Sequence, residues 1–155
     1  MTWTVLDPTP VGPLHLTAAG DALTGLRFGS GPAAGDRADD DPVLVSAVEQ
    51  LAEYFAGERR SFTVALAPVG TSFQRAVWEQ LRLIPYGTTV SYGELARRVG
   101  DAGAARAVGL ANGRNPIAIV VPCHRVIGAD GSLTGFGGGM AAKRALLDLE
   151  AGTLF

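Results

Sequence analysis

The stretch Val120-Val121-Pro122-Cys123-His124-Arg125-Val126-Ile127 constrains this chain more than any other. It sets the only cysteine beside one of two histidines, inside an apolar run that starts at Ile117. A run this hydrophobic belongs in the interior. Its thiol is therefore either a small buried core residue or a nucleophile in a dry pocket, and the rest of the chain must decide.

At 155 residues and 47% apolar, the chain suits one domain with a sizeable core, or two small ones sharing an interface. No run reaches the length of a membrane span. The first twenty residues lack the charged start and apolar core of a signal peptide, so secretion and membrane insertion are not expected. A single cysteine excludes an internal disulfide and a multi-cysteine zinc site, and fits a reducing cytoplasm. Net charge is −2, unevenly spread: residues 1–70 hold four arginines and nine acids, residues 71–155 nine basic residues and six acids. The C-terminal half is thus the better candidate for meeting phosphates.

The N-terminal half reads as an α+β unit. Alternation over Thr2–Leu6, Leu14–Thr17 and Leu26–Phe28 predicts an antiparallel meander, with a turn at Gly20-Asp21 and a candidate bulge at Gly25. Residues 29–41 read as a loop, with Asp39-Asp40-Asp41 a solvated cap rather than a metal site. Asp41-Pro42 opens a helix with Leu44, Ala47, Val48, Leu51, Ala52 and Phe55 inward and Gly57 beyond its end. Phe62, Val64 and Leu66 suggest a last strand. His15 falls on the polar face of its strand and is expected at the surface. This half reads as a support.

The boundary is expected near residue 69, giving regions 1–69 and 70–155. Thr71…Gln74 is a capping box opening a helix whose inward residues are Phe73, Ala76, Val77, Leu81 and Ile84, with Trp78 a core residue. Ser91…Glu94 is a second box, opening a short helix with Leu95, Ala96 and Val99 inward. After Asp101-Ala102-Gly103 a third helix covers 104–113. Two short helices joined by a glycine-containing turn match a helix-turn-helix, a shape that also occurs without DNA. The third helix carries alanine and glycine, with Arg106 its one long side chain until Arg114 beyond its end. It suits a close fit to a groove without base readout. Ile117–Val121 reads as an extended buried run delivering Cys123. Asp130-Gly131 reads as a hairpin turn between Val126-Ile127 and Leu133-Thr134, the wing of a winged helix. Gly135–Gly139 is a flexible loop, and a final helix spans Met140 to Glu150 with Ala142, Leu146 and Leu149 inward.

Pro122-Cys123-His124-Arg125-Val126, Arg106-Ala107-Val108-Gly109, Asn115-Pro116 and Tyr86-Gly87-Thr88-Thr89-Val90-Ser91-Tyr92 together resemble the O6-alkylguanine-DNA alkyltransferases. The resemblance is close over 71–150. It implies an α+β fold with a small ribonuclease-H-like antiparallel sheet and helix, followed by a mainly helical winged helix-turn-helix. It implies single-turnover repair of O6-methylguanine, and less efficiently O4-methylthymine, with the alkyl group passing from a flipped base to Cys123. By the same resemblance His124 is the water-linked base and Glu150 its orienting carboxylate. Tyr92 helps rotate the nucleotide and protonates the leaving guanine, and Asn115 braces the active turn. Arg106 replaces the extruded base, and Ala105, Gly109, Asn112 and Arg114 join Arg106 and Tyr92 on the DNA. Pro122, Val126, Phe136, Gly137 and Gly138 line the pocket. The implied partner is double-stranded DNA, met in the minor groove without sequence preference by a protein that is monomeric in solution; cooperative loading on DNA stays open. Neither cofactor nor metal is implied, and neither is a membrane partner. Phe136 stands where many members have tyrosine, and neither the zinc cysteines of some animal members nor the sensor domain of some bacterial ones is expected.

The chemistry agrees with the residues. Burial alone would raise the thiol pKa, and an acid-oriented imidazole offsets this. The thioether product is a poor leaving group and no second thiol could resolve it. Arg125, within the apolar run, is read as a structural ion-pair partner. The rivals are a winged-helix regulator, which would need more base-reading side chains on 104–113, and a cysteine hydrolase, whose base usually lies far from its nucleophile in sequence. Alkyltransferase-like binding proteins lack the acceptor cysteine that this chain has.

Overall fold

The computed structural model describes residues 1–29, 31, 34–133 and 136–152. Strands β1 (Thr2–Leu6), β2 (Leu14–Ala19) and β3 (Ala22–Phe28) form the antiparallel meander, and β4 (Asp36–Arg37) adds in parallel to β1, giving the order β3-β2-β1-β4. The loop expected over 29–41 thus contains a strand. Its aspartates are ties rather than a free cap: Thr4 Oγ1 donates to Asp39 at 2.7 Å and Thr2 Oγ1 to Asp41 at 2.8 Å. The bulge falls at Thr24, because Gly25 still pairs with Thr17 while Ala18 pairs with Leu23.

Helix α1 (Pro42–Phe55) starts as expected, with Asp41 accepting from the Val43 amide. Its buried stripe is Leu44, Ala47, Gln50, Leu51 and Tyr54, so Ala52 is exposed and Val48 and Phe55 only half-buried. Gln50 explains a second difference. Its amide accepts from the Thr63 backbone N–H at 3.0 Å and donates to Thr63 Oγ1 at 2.8 Å. These bonds replace a ladder, and the strand expected at 62–66 reduces to one bridge, Leu23 with Leu66.

His15 is buried, not exposed. Its ring stacks on Trp3 at 5.4 Å, Arg37 lies over the same indole, and neither imidazole nitrogen has a hydrogen-bond partner. Strand alternation put it on the polar face correctly; Trp3 from the neighbouring strand then covers that face.

In the C-terminal half, α2 (Ser72–Arg82) has the complete Thr71–Gln74 capping box. Trp78 sets its rotation by donating from Nε1 to Ala111 O at 2.8 Å, which turns Phe73 and Ala76 outward and buries Val77, Trp78 and Leu81. Helix α3 (Tyr92–Val99) follows β5 (Val90–Ser91). Ser91 accepts from the Glu94 amide, but the Glu94 carboxylate turns to Arg97 and Arg98, so only half of the second capping box forms. Gly100 closes α3 in the left-handed region, where glycine carries no Cβ penalty. Helix α4 (Ala105–Gly113) packs on α2 and α3.

Strand β6 (Val126–Ile127) pairs with β5 in parallel, and the expected pairing with 133–134 falls partly outside the described residues. The Asp130-Gly131 turn is present but tight, with Gly128 N bonded to Ser132 O; Thr134 and Gly135 lie outside the described residues. Helix α5 (Met140–Glu150) completes the fold, and none of the described helices is long and apolar enough to cross a membrane. One hydrophobic core runs through both halves. They are joined along the free edge of β3, where Leu26 donates to Pro116 O at 2.9 Å and accepts from Ala118 N at 3.0 Å.

Removing the Asp41 carboxylate takes away both a helix cap and the tie to Thr2. Asp41→Ala should lower the urea midpoint with an unchanged slope.

Candidate active site

The segment before Cys123 is a tight turn rather than the extended run expected. Pairing of Leu26 with Ile117 allows only one bridge before the chain must reverse. Val121 N bonds to Ile117 O and Val120 N to Ala118 O, and Ile119 takes φ +70. A β-branched residue there is strained by about 1–3 kcal/mol. Asn115 holds the turn closed: its Nδ2 donates to Val121 O at 2.7 Å and its Oδ1 accepts from Ile117 N at 3.0 Å. Cys123, His124 and Arg125 then form one 3-10 turn, all buried.

Glu150 comes back from the end of α5 to meet that turn. Its Oε2 accepts from His124 Nε2 at 2.7 Å, Tyr54 Oη at 2.7 Å and Arg125 NH2 at 3.0 Å, and its Oε1 accepts from Arg125 Nε at 2.8 Å. Arg125 also donates to Ile84 O. Burial works against the Glu150 charge, but the bonds and charges of His124 and Arg125 outweigh it and hold the carboxyl at about 2. Burial lowers the His124 pKa despite Glu150, so the ring is neutral. An ionised carboxylate only accepts, so Nε2 carries the proton and Nδ1, which has no partner, keeps its lone pair.

Burial raises the Cys123 thiol, and an Asn115 hydrogen bond and the Lys143 charge oppose that rise. Lys143 is fully buried, and its Nζ donates to Val126 O at 2.6 Å. The thiol lies at a cavity of about 160 Å³ lined by Leu26, Arg27, Phe28, Asn112, Gly113, Asn115, Ala118, Phe136 and Gly137.

Pairing of β5 with β6 sets the start of α3 beside the Cys123 turn, and the Tyr92 ring lies over Gly109 of α4. Arg106 on α4 and Arg114 just past its end are exposed, and Ala105 is half-buried. Asn112 is different: it is buried, with Nδ2 3.5 Å from Cys123 O, and it faces the cavity rather than the outer surface of the helix. Val126 and Pro122 are buried in the turn itself, and Pro122 lines a different cavity with Tyr86 and Arg60. Gly138 packs on Phe28.

Comparison with known proteins is decisive. A family model described as 6-O-methylguanine DNA methyltransferase, DNA binding domain, matches residues 72–152, and its ribonuclease-like domain matches 1–68. This chain belongs to the 6-O-methylguanine DNA methyltransferase family. The methylated-DNA–protein-cysteine methyltransferase of Mycobacterium tuberculosis is 56% identical over 145 residues, covering 92% of this chain and 88% of the relative. That of Methanosarcina acetivorans is 49% identical over 146 residues, covering 92% and 94%. The solved structure of Mycobacterium tuberculosis OGT in complex with DNA superposes with a TM-score of 0.90 at 52% identity, covering 99% of this chain and 94% of that one.

Several residues that the sequence does not single out also reach this site. Tyr54 and Lys143 reach the site from α1 and α5, and Leu26 and Phe28 reach it from β3. One sequence signal was available for Lys143, the only lysine in the chain.

Buried Glu150 and His124 give a signed pH dependence, and His15, whose pKa burial also lowers, acts in the same direction as His124. Glu150, depressed to about 2 from 4.5, contributes stability above the ordinary carboxylate range that is lost as pH falls toward 2. His124, lowered from 6.5, makes the unfolded chain bind its proton first, so stability also declines as pH drops through that value. Urea unfolding from pH 8 down to pH 3 should show both limbs. In Glu150→Gln the lower limb should flatten, and stability at pH 7 should drop by about 3–5 kcal/mol because Arg125 is left uncompensated.

Proposed function

We propose that this chain repairs O6-alkylguanine, and more slowly O4-methylthymine, in double-stranded DNA by moving the alkyl group irreversibly onto Cys123 Sγ. The observation that carries the reading is the pairing of a pocket-lining thiol with a neutral His124 whose Nε2–H is fixed on Glu150, leaving Nδ1 as the base. His124 Nδ1 takes the thiol proton through a bridging water, and the resulting imidazolium is stabilised by Glu150. The thiolate attacks the alkyl carbon, the carbon–O6 bond breaks, and the departing guanine oxygen takes a proton from the Tyr92 hydroxyl, which is restored from the imidazolium through solvent. Asn115 and Lys143 stabilise the thiolate.

The small-residue face of α4 suits the minor groove without sequence preference, and Arg106 is the side chain placed to fill the gap left by a flipped base. Flipping costs a few kcal/mol, so the wedge acts on duplex and not on free base. Phe136 contributes a ring to the pocket. A cytoplasmic monomer suits a reaction that needs a reduced thiol and one binding face.

Mass spectrometry after incubation with an O6-methylguanine duplex should show one methyl group on the Cys123 peptide and at most one equivalent per protein, with Cys123→Ala unmodified. Repeated turnover, or a methylated Cys123→Ala protein, would overturn the reading. Arg106→Ala should slow duplex repair by about tenfold or more relative to repair of the free base; equal slowing of both contradicts the wedge.

A further inference from the structure

The cavity beside Cys123 is closed from two sides by different parts of the chain. Leu26 and Phe28 come from β3, and Phe136 and Gly137 from the segment before α5. Phe28 is held firmly: it pairs with Leu14 across the sheet, and the next residue, Gly29, donates to Pro13 O at 2.8 Å. The 136–139 segment has less holding it. Its backbone closes one turn, Gly139 N to Phe136 O, and α5 begins without a side-chain cap.

Two contacts transfer the position of Phe28 to that segment. The Phe136 ring meets Phe28 edge to face at 5.3 Å and 70°. Gly138 packs so closely that a Cβ there would lie 2.6 Å from Phe28 Cδ2. Any side chain at 138 would have to move the ring or the loop. The space this leaves is small: a cavity of about 150 Å³ admits a single benzene ring, and this one measures about 160 Å³. A flipped purine, larger than benzene, leaves none of it spare.

We propose that Phe28, on the N-terminal sheet, determines which alkyl groups the protein accepts. By fixing Phe136 and Gly138 it keeps the pocket narrow enough to favour methyl and to disfavour groups that carry a ring. The proposal rests on the reading that Cys123 takes its alkyl group from guanine O6.

The test uses the full chain and two duplexes identical except for O6-methylguanine or O6-benzylguanine, with single-turnover rates read as mass gain on the Cys123 peptide. Phe28→Ala should raise the benzyl-to-methyl rate ratio by about tenfold, at the low end of size discrimination by apolar pockets, and Phe28→Trp should lower it. Gly138→Ala should shift the ratio strongly in the wild-type background and weakly alongside Phe28→Ala, since its clash partner is then gone. A ratio unmoved in both Phe28 variants, or moved the same way in both, while both groups are still transferred, overturns the role of Phe28 alone. Transfer of neither group by the wild-type protein overturns the underlying reading instead.

Discussion

The Glu150 carboxylate is the interaction on which the rest of the structure depends. Removing an ion from water costs several kcal/mol, and a buried pair offsets that only when its geometry is good and its remaining lone pairs are satisfied. Glu150 meets both conditions with donors from Tyr54, His124 and Arg125. Tyr54 belongs to α1, Glu150 to α5, and the other two to the turn that carries Cys123. One carboxylate therefore joins three separate parts of the chain and assigns the proton on His124. Folding and chemistry share the same bonds.

The sheet edge is the second fixed point. Leu26 bonds to the peptides on both sides of Ile117, and this anchors a turn that holds Ile119 in the left-handed region. Strain of this kind persists where the surroundings over-determine the backbone, as Asn115 and β3 do here. The N-terminal half is accordingly part of the site. It contributes Tyr54 to the carboxylate, Leu26 to the turn, and Leu26, Arg27 and Phe28 to the cavity wall, and is thus more than the support its sequence suggests.

What was legible in the sequence was local. Asp41-Pro42 and Thr71…Gln74 place their own caps within a few residues, so α1 and α2 start where expected. The Cys123-His124 pair and the distant Glu150 were readable through the resemblance. What stayed hidden depended on neighbours remote in sequence. Alternation puts His15 on the outer face of its strand, but Trp3 and Arg37 cover that face. Periodicity gives α2 an apolar stripe, but the bond from Trp78 to Ala111 decides which part of it turns inward. Val126-Ile127 is a strand as expected, and its partner β5 lies more than thirty residues earlier in the chain, chosen by tertiary packing. Asn112 looked like a groove-facing residue on a small-residue helix, and burial beside Cys123 assigns it to the cavity.

The chemistry depends on the protonation of one ring, and nitrogen-15 NMR of His124 measures it directly. At pH 7 the spectrum should show a neutral imidazole with the proton on Nε2 and a bare Nδ1, and Glu150→Gln should disturb that assignment. A proton on Nδ1 in the wild-type protein, or an imidazolium at pH 7, would contradict it.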